Sequence, residues 1–177
     1  RRGDGPASVR GQRDAARDVM EARAARVGGP LMIHGQHWHA WEERGRRIFQ
    51  DENGLLDLPL PALAGPHQVE NAGTALAGLR RLELGETAFE AAMIDAKWPA
   101  RMQRLRQGRW AEMAPEAEIW LDGGHNPHAG KALAATLEGL PARPTYFVCG
   151  MLKTKDAQGY FEALAPMSEG LIAVSIP

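Results

Sequence analysis

The sequence predicts an α/β fold built on a mainly parallel sheet, and three observations predict it. From Ile119 onward, strand-like runs at 119–121, 145–149 and 171–176 alternate with helical stretches ending near Leu137 and Leu164. Such a β-loop-α rhythm implies parallel strands joined by right-handed crossovers. The segment Ile119 to Gly130, IWLDGGHNPHAG, condenses one such unit into strand, tight turn and helix start. The composition is that of a globular chain: 177 residues with 44% hydrophobic content and no apolar run near the ~20 residues that a membrane span needs.

In chain order, residues Gln12 to Val27 carry a helical pattern, with Ala15, Ala16, Val19, Met20 and Ala24 on roughly one side, and Gly28-Gly29-Pro30 ends it. Leu31 to His34 is a short strand candidate. Trp38 and Trp41, which follow, suit a surface or domain-contact ribbon. Arg46 to Phe49 and Leu55 to Leu58 flank an Asn53-Gly54 hairpin signal. Leu58-Pro-Leu-Pro61 must be extended, because each proline pushes its predecessor away from helix. Gly65 to Asn71 leads into an apolar helix, Ala72 to Leu82, with Asn71 a polar residue at its start.

Thr87-Ala-Phe-Glu90 reads as a capping box opening a helix to about Ala96, which Trp98-Pro99 breaks. Met102 to Leu105 and Arg109 to Met113 bracket Arg106-Gln107-Gly108 as a hairpin. Ile119 to Leu121 is the next strand. Gly123-Gly124 offers the φ freedom for a sharp turn, Asn126 reads as an N-cap and Pro127 as the first helical residue. Thr145 to Cys149 and Leu171 to Ile176 are strands around a helix from about Ala157 to Leu164, and the loop Gly150 to Asp156 leaves the carboxyl end of the first of them.

Charge and cysteine content narrow the function classes. Net charge is −1, and the ten arginines of the first fifty residues are interspersed with six acids rather than forming an aromatic-basic stripe. That distribution argues against nucleic-acid binding. The single Cys149 excludes an internal disulfide and points to a reducing cytoplasm. Neither a signal-peptide pattern nor a membrane span is present. His34, His37 and His39 have spacings that could bind a metal, since a strand would put His37 and His39 on one face. No Cys or carboxylate lies within that cluster. Asp122 is placed at the carboxyl end of a strand and His125 just before a helix N-terminus, the region where open α/β sheets bind ligands and where free N–H groups favour an anion.

Asp-Gly-Gly-His-Asn-Pro-His-Ala, residues 122–129, resembles the Asp-Gly-Ala-His-Asn-Pro-His-Ala signature of the folylpolyglutamate synthase and dihydrofolate synthase family of the Mur ligase superfamily. Three further strings are similar to the same ligases: Leu58-Pro-Leu-Pro with Gly65-Pro-His-Gln-Val-Glu-Asn-Ala72, then Trp98-Pro-Ala-Arg101-Met-Gln103, then Gly150-Met-Leu-Lys-Thr-Lys-Asp156. Two departures stand out. Ala100 occupies a family glycine position, so the turn either needs no positive φ or carries strain, and Thr154 replaces an Asp. Residues 1–55 match only loosely.

The resemblance implies the end of a Mur-ligase-type ATP-binding domain at residues 1–97, followed by a truncated Rossmann-like, mainly parallel-sheet C-terminal domain at 98–177. The domains would close on ATP across a hinge near Lys97 to Ala100. It implies an ATP-dependent ligase that joins L-glutamate to dihydropteroate or a reduced folate through an acyl phosphate. Arg101 and His125 would serve catalysis. Asn71, Arg101, Asp122 and His125 would bind ATP, and Lys155 would contact substrate or phosphate, while His128 is structural. Neither Gly-x4-Gly-Lys-Ser/Thr nor Gly-x-Gly-x-x-Gly occurs; the second absence argues against a dinucleotide oxidoreductase, and the resemblance implies that the phosphate-binding loop and the magnesium ligands lie upstream. The sequence starts at Arg1 without Met and stops just after a strand, so it reads as a fragment, inactive alone, of a cytoplasmic monomer. The alternatives are another Mur-type amino-acid ligase, told apart by its acceptor acid, and a non-catalytic nucleotide-binding module.

Overall fold

A computed structural model describes residues 6–9, 14–82 and 84–176. It divides the chain into two compact units, one formed by residues up to Ala62 with His67–Ala96, the other by Leu63–Pro66 with Lys97 onward. Among the described residues, no helix is long and apolar enough to cross a membrane.

The first unit opens with strand β1 (Ala7–Val9), helix α1 (Asp14–Val27) and strand β2 (Leu31–Ile33), β1 and β2 pairing in parallel. The predicted residues Gln12 and Arg13 of α1 lie outside the described residues. An antiparallel sheet follows in the order β3 (Trp38–Glu43), β4 (Arg46–Asp51), β5 (Gly54–Pro59), with Asp51 opposite Gly54 across the predicted Asn-Gly turn. Gly54 has φ 107°, a conformation that costs a glycine little. Period-two alternation sends Trp38, Phe49, Leu56 and Leu58 to one face, where helices α2 (Pro66–Leu79) and α3 (Glu86–Ile94) cover them with Leu76, Ala77, Phe89 and Met93.

Trp38 is a correction to the sequence reading. It is not part of a surface ribbon: only 1% exposed, it stacks on Phe49 with ring centroids 5.8 Å apart and donates its indole N–H to the Met32 carbonyl. Two helix starts also differ. α2 begins at Pro66, because proline suits the first helical position, so Asn71 sits in its second turn. α3 is preceded by Gly85 in an extended conformation with no side-chain cap, and Thr87 lies inside the helix rather than capping it. Where α2 crosses the sheet, a Cβ on Gly73 would lie 2.5 Å from the Arg47 guanidinium and 3.1 Å from the Trp38 ring, so the helix packs closely here and a larger residue would have to displace the Arg47 side chain.

The second unit contains β6 (Gln103–Leu105), α4 (Arg109–Met113), β7 (Ile119–Leu121), α5 (Pro127–Glu138), β8 (Tyr146–Cys149), α6 (Ala157–Glu162) and β9 (Gly170–Ala173). β8 and β9 are parallel, joined by α6 as the rhythm predicts. The expected hairpin at 102–113 does not form. Arg109–Met113 is a short helix, and β6 instead pairs antiparallel with β7, Gln103 opposite Leu121. Leu133, Ala134, Tyr160 and Leu164 pack with Met102 into this unit's core. A side chain on Gly130 would collide with the Tyr160 carbonyl, so α5 lies directly against the backbone of α6.

Candidate functional site

The turn between β7 and α5 grows from its local sequence. Asn126 is extended, at φ −148° and ψ 162°, and its side chain accepts from the Ala129 N–H at 2.9 Å, with Pro127 opening the helix. This is the predicted cap. Gly123 and Gly124 play another part than expected, since neither has a positive φ. A Cβ on Gly124 would lie 2.9 Å from Asp122 Oδ1 and 3.0 Å from the Tyr160 ring, so the glycine supplies space.

Asp122 ties two loops together. Its Oδ1 accepts from the Gly124 N–H at 2.8 Å and its Oδ2 from the Met102 N–H at 3.0 Å. The Gly123 N–H donates to the Ala100 carbonyl at 2.8 Å, and the Gln103 side chain accepts from the Ala100 N–H at 3.1 Å. Between these ties Ala100 has φ 56° and Met102 φ 45°. Of the two possibilities for Ala100, strain is the one realised. A left-handed non-glycine residue costs roughly 1–2 kcal/mol. A hydrogen bond to an ionised acceptor contributes roughly 1.5–3 kcal/mol, so the Asp122 ties are of the size needed to hold the turn. Arg101, between the two strained residues, is exposed, and among the described residues it forms no ion pair.

The His125 ring contacts the Gly123 carbonyl through Nδ1 at 3.0 Å. A carbonyl only accepts, so Nδ1 carries a proton, and Nε2 can donate to an anion only when the ring is protonated. Beneath the turn, the buried Tyr160 hydroxyl is pushed up to about 12, first by burial and then by the Asp122 and Cys149 charges. Lys155 precedes the cap of α6, Asp156, which accepts from the Gly159 N–H at 2.8 Å. The first turns of α5 and α6 touch: a Cβ on Gly159 would lie 2.7 Å from Pro127 Cγ.

The comparisons with known proteins bear on this arrangement. The chain is 33% identical over 140 residues to the dihydrofolate synthase/folylpolyglutamate synthase of Escherichia coli (strain K12), covering 77% of the chain and 30% of that protein. It is 28% identical over 145 residues to the protein of the same name from Haemophilus influenzae, covering 75% of the chain and 31% of that protein. Its fold matches E. coli FolC in complex with ADP at a TM-score of 0.76 and 27% identity, over 90% of this chain and 37% of that one. The chain belongs to the dihydrofolate synthase/folylpolyglutamate synthase family. It spans about a third of the length of these relatives. No protein-family model matches it.

Within this family member the structure brings Arg101, Asp122 and His125 together through the tied turns, with Lys155 at the same end of the second unit. Asn71 belongs to the first unit, where its amide donates to the buried Gln68 at 3.0 Å. The histidine trio is not arranged as a strand face. His37 lies in the turn before β3, its Nδ1 accepting from the Ile33 N–H at 3.0 Å, while His34 packs on Trp38. Burial lowers the pKa of His34, with the nearby His39 and Arg47 adding to the effect. No group of three or more His, Cys, Asp or Glu among the described residues is placed to hold a metal ion. Sequence reasoning missed Gln103 and Tyr160. The Gln at the end of the Trp-Pro-x-Arg-x-Gln string was the available signal for the first, and none marked the second.

Proposed function

We propose that this chain is the carboxyl-terminal portion of an ATP-dependent amide ligase that adds L-glutamate to dihydropteroate, to reduced folates, or to both. The observation that carries the reading is the pair of cross-tied turns, one carrying Arg101, which forms no ion pair among the described residues, and the other carrying His125 and leading into α5, in a chain of this family. A guanidinium on a tied loop and a ring nitrogen at a helix N-terminus, where the helix dipole favours negative charge, are a set that fits a polyphosphate. The E. coli relative, seen in complex with ADP, supports the same ligand class here.

ATP would supply the phosphoryl group that activates the acceptor carboxylate, so that the amine of glutamate can displace phosphate and form the amide. Arg101 neutralises phosphate charge as it develops, through a planar fork that stays ionised. His125, once protonated, donates to a phosphate oxygen. Asn71 and Asp122 hold the nucleotide, Asp122 with the acceptor capacity left after its two backbone bonds. Lys155 contacts phosphate or substrate. Magnesium would be held by residues outside this chain, together with the phosphate-binding loop. The first unit then corresponds to the end of the ATP-binding domain and the second to the C-terminal ligase domain of a cytoplasmic monomer.

The test is mass spectrometry of the products formed by the complete polypeptide with ATP, magnesium, glutamate and either dihydropteroate or tetrahydrofolate. A mass gain of one glutamyl residue on either acid is the expected result. ATP turnover that requires some other acceptor acid would move the assignment to a different Mur-type ligase, and ATP binding with no transfer to a nucleotide-binding module.

A further inference from the structure

The geometry points to Gln103 as a positioning residue for Arg101, acting by holding Ala100 in a left-handed conformation. This rests on the reading of Arg101 as a phosphate contact. Gln103 is the first residue of β6, and its side chain turns back so that Oε1 accepts from the Ala100 N–H at 3.1 Å. The other backbone polar group of Ala100, its carbonyl, is taken by the Gly123 N–H at 2.8 Å. The peptide groups on both sides of Ala100 are therefore fixed, one by a side chain and one by the β7–α5 turn, with φ at 56°. Alanine does not adopt that conformation unaided, because its Cβ crowds the following carbonyl.

The two anchors divide the work. Asp122 fixes the peptide after Arg101 through the Met102 N–H, and Gln103 fixes the Pro99–Ala100 peptide through the Ala100 N–H, so that with the Gly123 tie on the Ala100 carbonyl it sets the φ of Ala100 ahead of Arg101. Arg101 itself is exposed and has no ion pair among the described residues, so the direction of its side chain depends on its backbone. Releasing the Ala100 N–H leaves the Gly123 bond alone to hold the left-handed φ of Ala100, so the backbone from which the Arg101 side chain starts is no longer held on both sides of Ala100. Gln103 is exposed and does not belong to the hydrophobic core, so its amide acts on the loop rather than on packing.

The experiment is calorimetric titration of the complete polypeptide with ATP and with adenosine, for the wild type and for Gln103→Leu, Gln103→Glu, Ala100→Gly/Gln103→Leu and Arg101→Ala, alongside thermal melts. Gln103→Leu should weaken ATP by about tenfold while leaving adenosine affinity within about twofold, since only phosphate binding depends on Arg101. Gln103→Glu keeps an acceptor oxygen and should stay within about threefold of wild type for ATP. Ala100→Gly added to Gln103→Leu should recover most of the lost ATP affinity, because glycine takes a positive φ without support. Unchanged ATP affinity in Gln103→Leu, with Arg101→Ala weakened, overturns the positioning role and leaves the reading of Arg101 standing. Equal loss for ATP and adenosine with a lowered melting point and no recovery in the double variant overturns it in favour of a general structural role. Unchanged ATP affinity in Arg101→Ala removes the phosphate contact and this inference with it.

Discussion

The two strand-to-helix connections of the second unit share a plan and differ in how they are held. Both leave the carboxyl end of a strand and reach a helix through a cap preceded by a basic side chain, His125-Asn126 before α5 and Lys155-Asp156 before α6. The first is tied to a distant loop by the Asp122 carboxylate and the Gly123 N–H, across about twenty residues of sequence. The second is held by bonds within its own neighbourhood, Lys155 N–H to the Leu152 carbonyl at 2.9 Å and Gly159 N–H to Asp156. A site needs side chains fixed before the ligand arrives, and cross-tying fixes them at the expense of local strain. The difference assigns the rigid role to the Arg101–Asp122 pair of turns and a more adaptable one to the loop carrying Lys155.

The largest break of that contrast is Asp122→Ala. It leaves the Met102 and Gly124 N–H groups without their acceptors, so unfolding free energy should fall by about 2–4 kcal/mol in a denaturant titration. Asp122→Asn keeps one acceptor oxygen and should lose roughly half as much. The same change in the second connection, Lys155→Ala, should stay within about 0.5 kcal/mol because that side chain is exposed.

A smaller effect compares the caps. Asn126→Ala should cost about 1 kcal/mol, and Asp156→Ala less, since the helix it caps has six residues against twelve. Thermal melts of the two variants give the order directly. If Asp156→Ala proved the more damaging, the second connection would be the better anchored.

The smallest effect is a pH dependence. The Tyr160 hydroxyl beneath the tied turn ionises only near 12 when folded, against about 10 in an unfolded chain. The folded state therefore binds the proton more tightly, and stability should decline as pH rises from about 10 to 12, while below pH 10 this group contributes no slope. Tyr160→Phe should flatten the decline in equilibrium unfolding measured across that range.

What the sequence disclosed was local. Asn126-Pro127 announced a helix start, Asn53-Gly54 a hairpin, and the Ile119, Thr145 and Leu171 segments their strands, because each depends on neighbours a few residues away. What it concealed depends on distant partners. β6 looked like half of a hairpin with Arg109–Met113, but its partner is β7, fixed by the register of Gln103 with Leu121. Trp38 looked exposed because the apolar face of β3 is defined only once β4, β5 and α2 are in place. Gly123-Gly124 looked like a source of backbone freedom, and only the folded chain shows that Gly124 clears space for Asp122 and Tyr160. Arg101 and Asp122 were legible as chemistry from the motifs, whereas the hydrogen bonds that join them were not, since no spacing in a sequence records a side chain reaching a backbone amide twenty residues away.

The most direct test of the tied-turn account is amide hydrogen exchange at Met102 and Gly124 in the complete polypeptide. Slow exchange at both, faster at the Lys153 and Thr154 amides, with protection of Met102 and Gly124 lost together in Asp122→Ala, is the predicted result. Rapid exchange at Met102 in the wild type, or protection that survives Asp122→Ala, would contradict it.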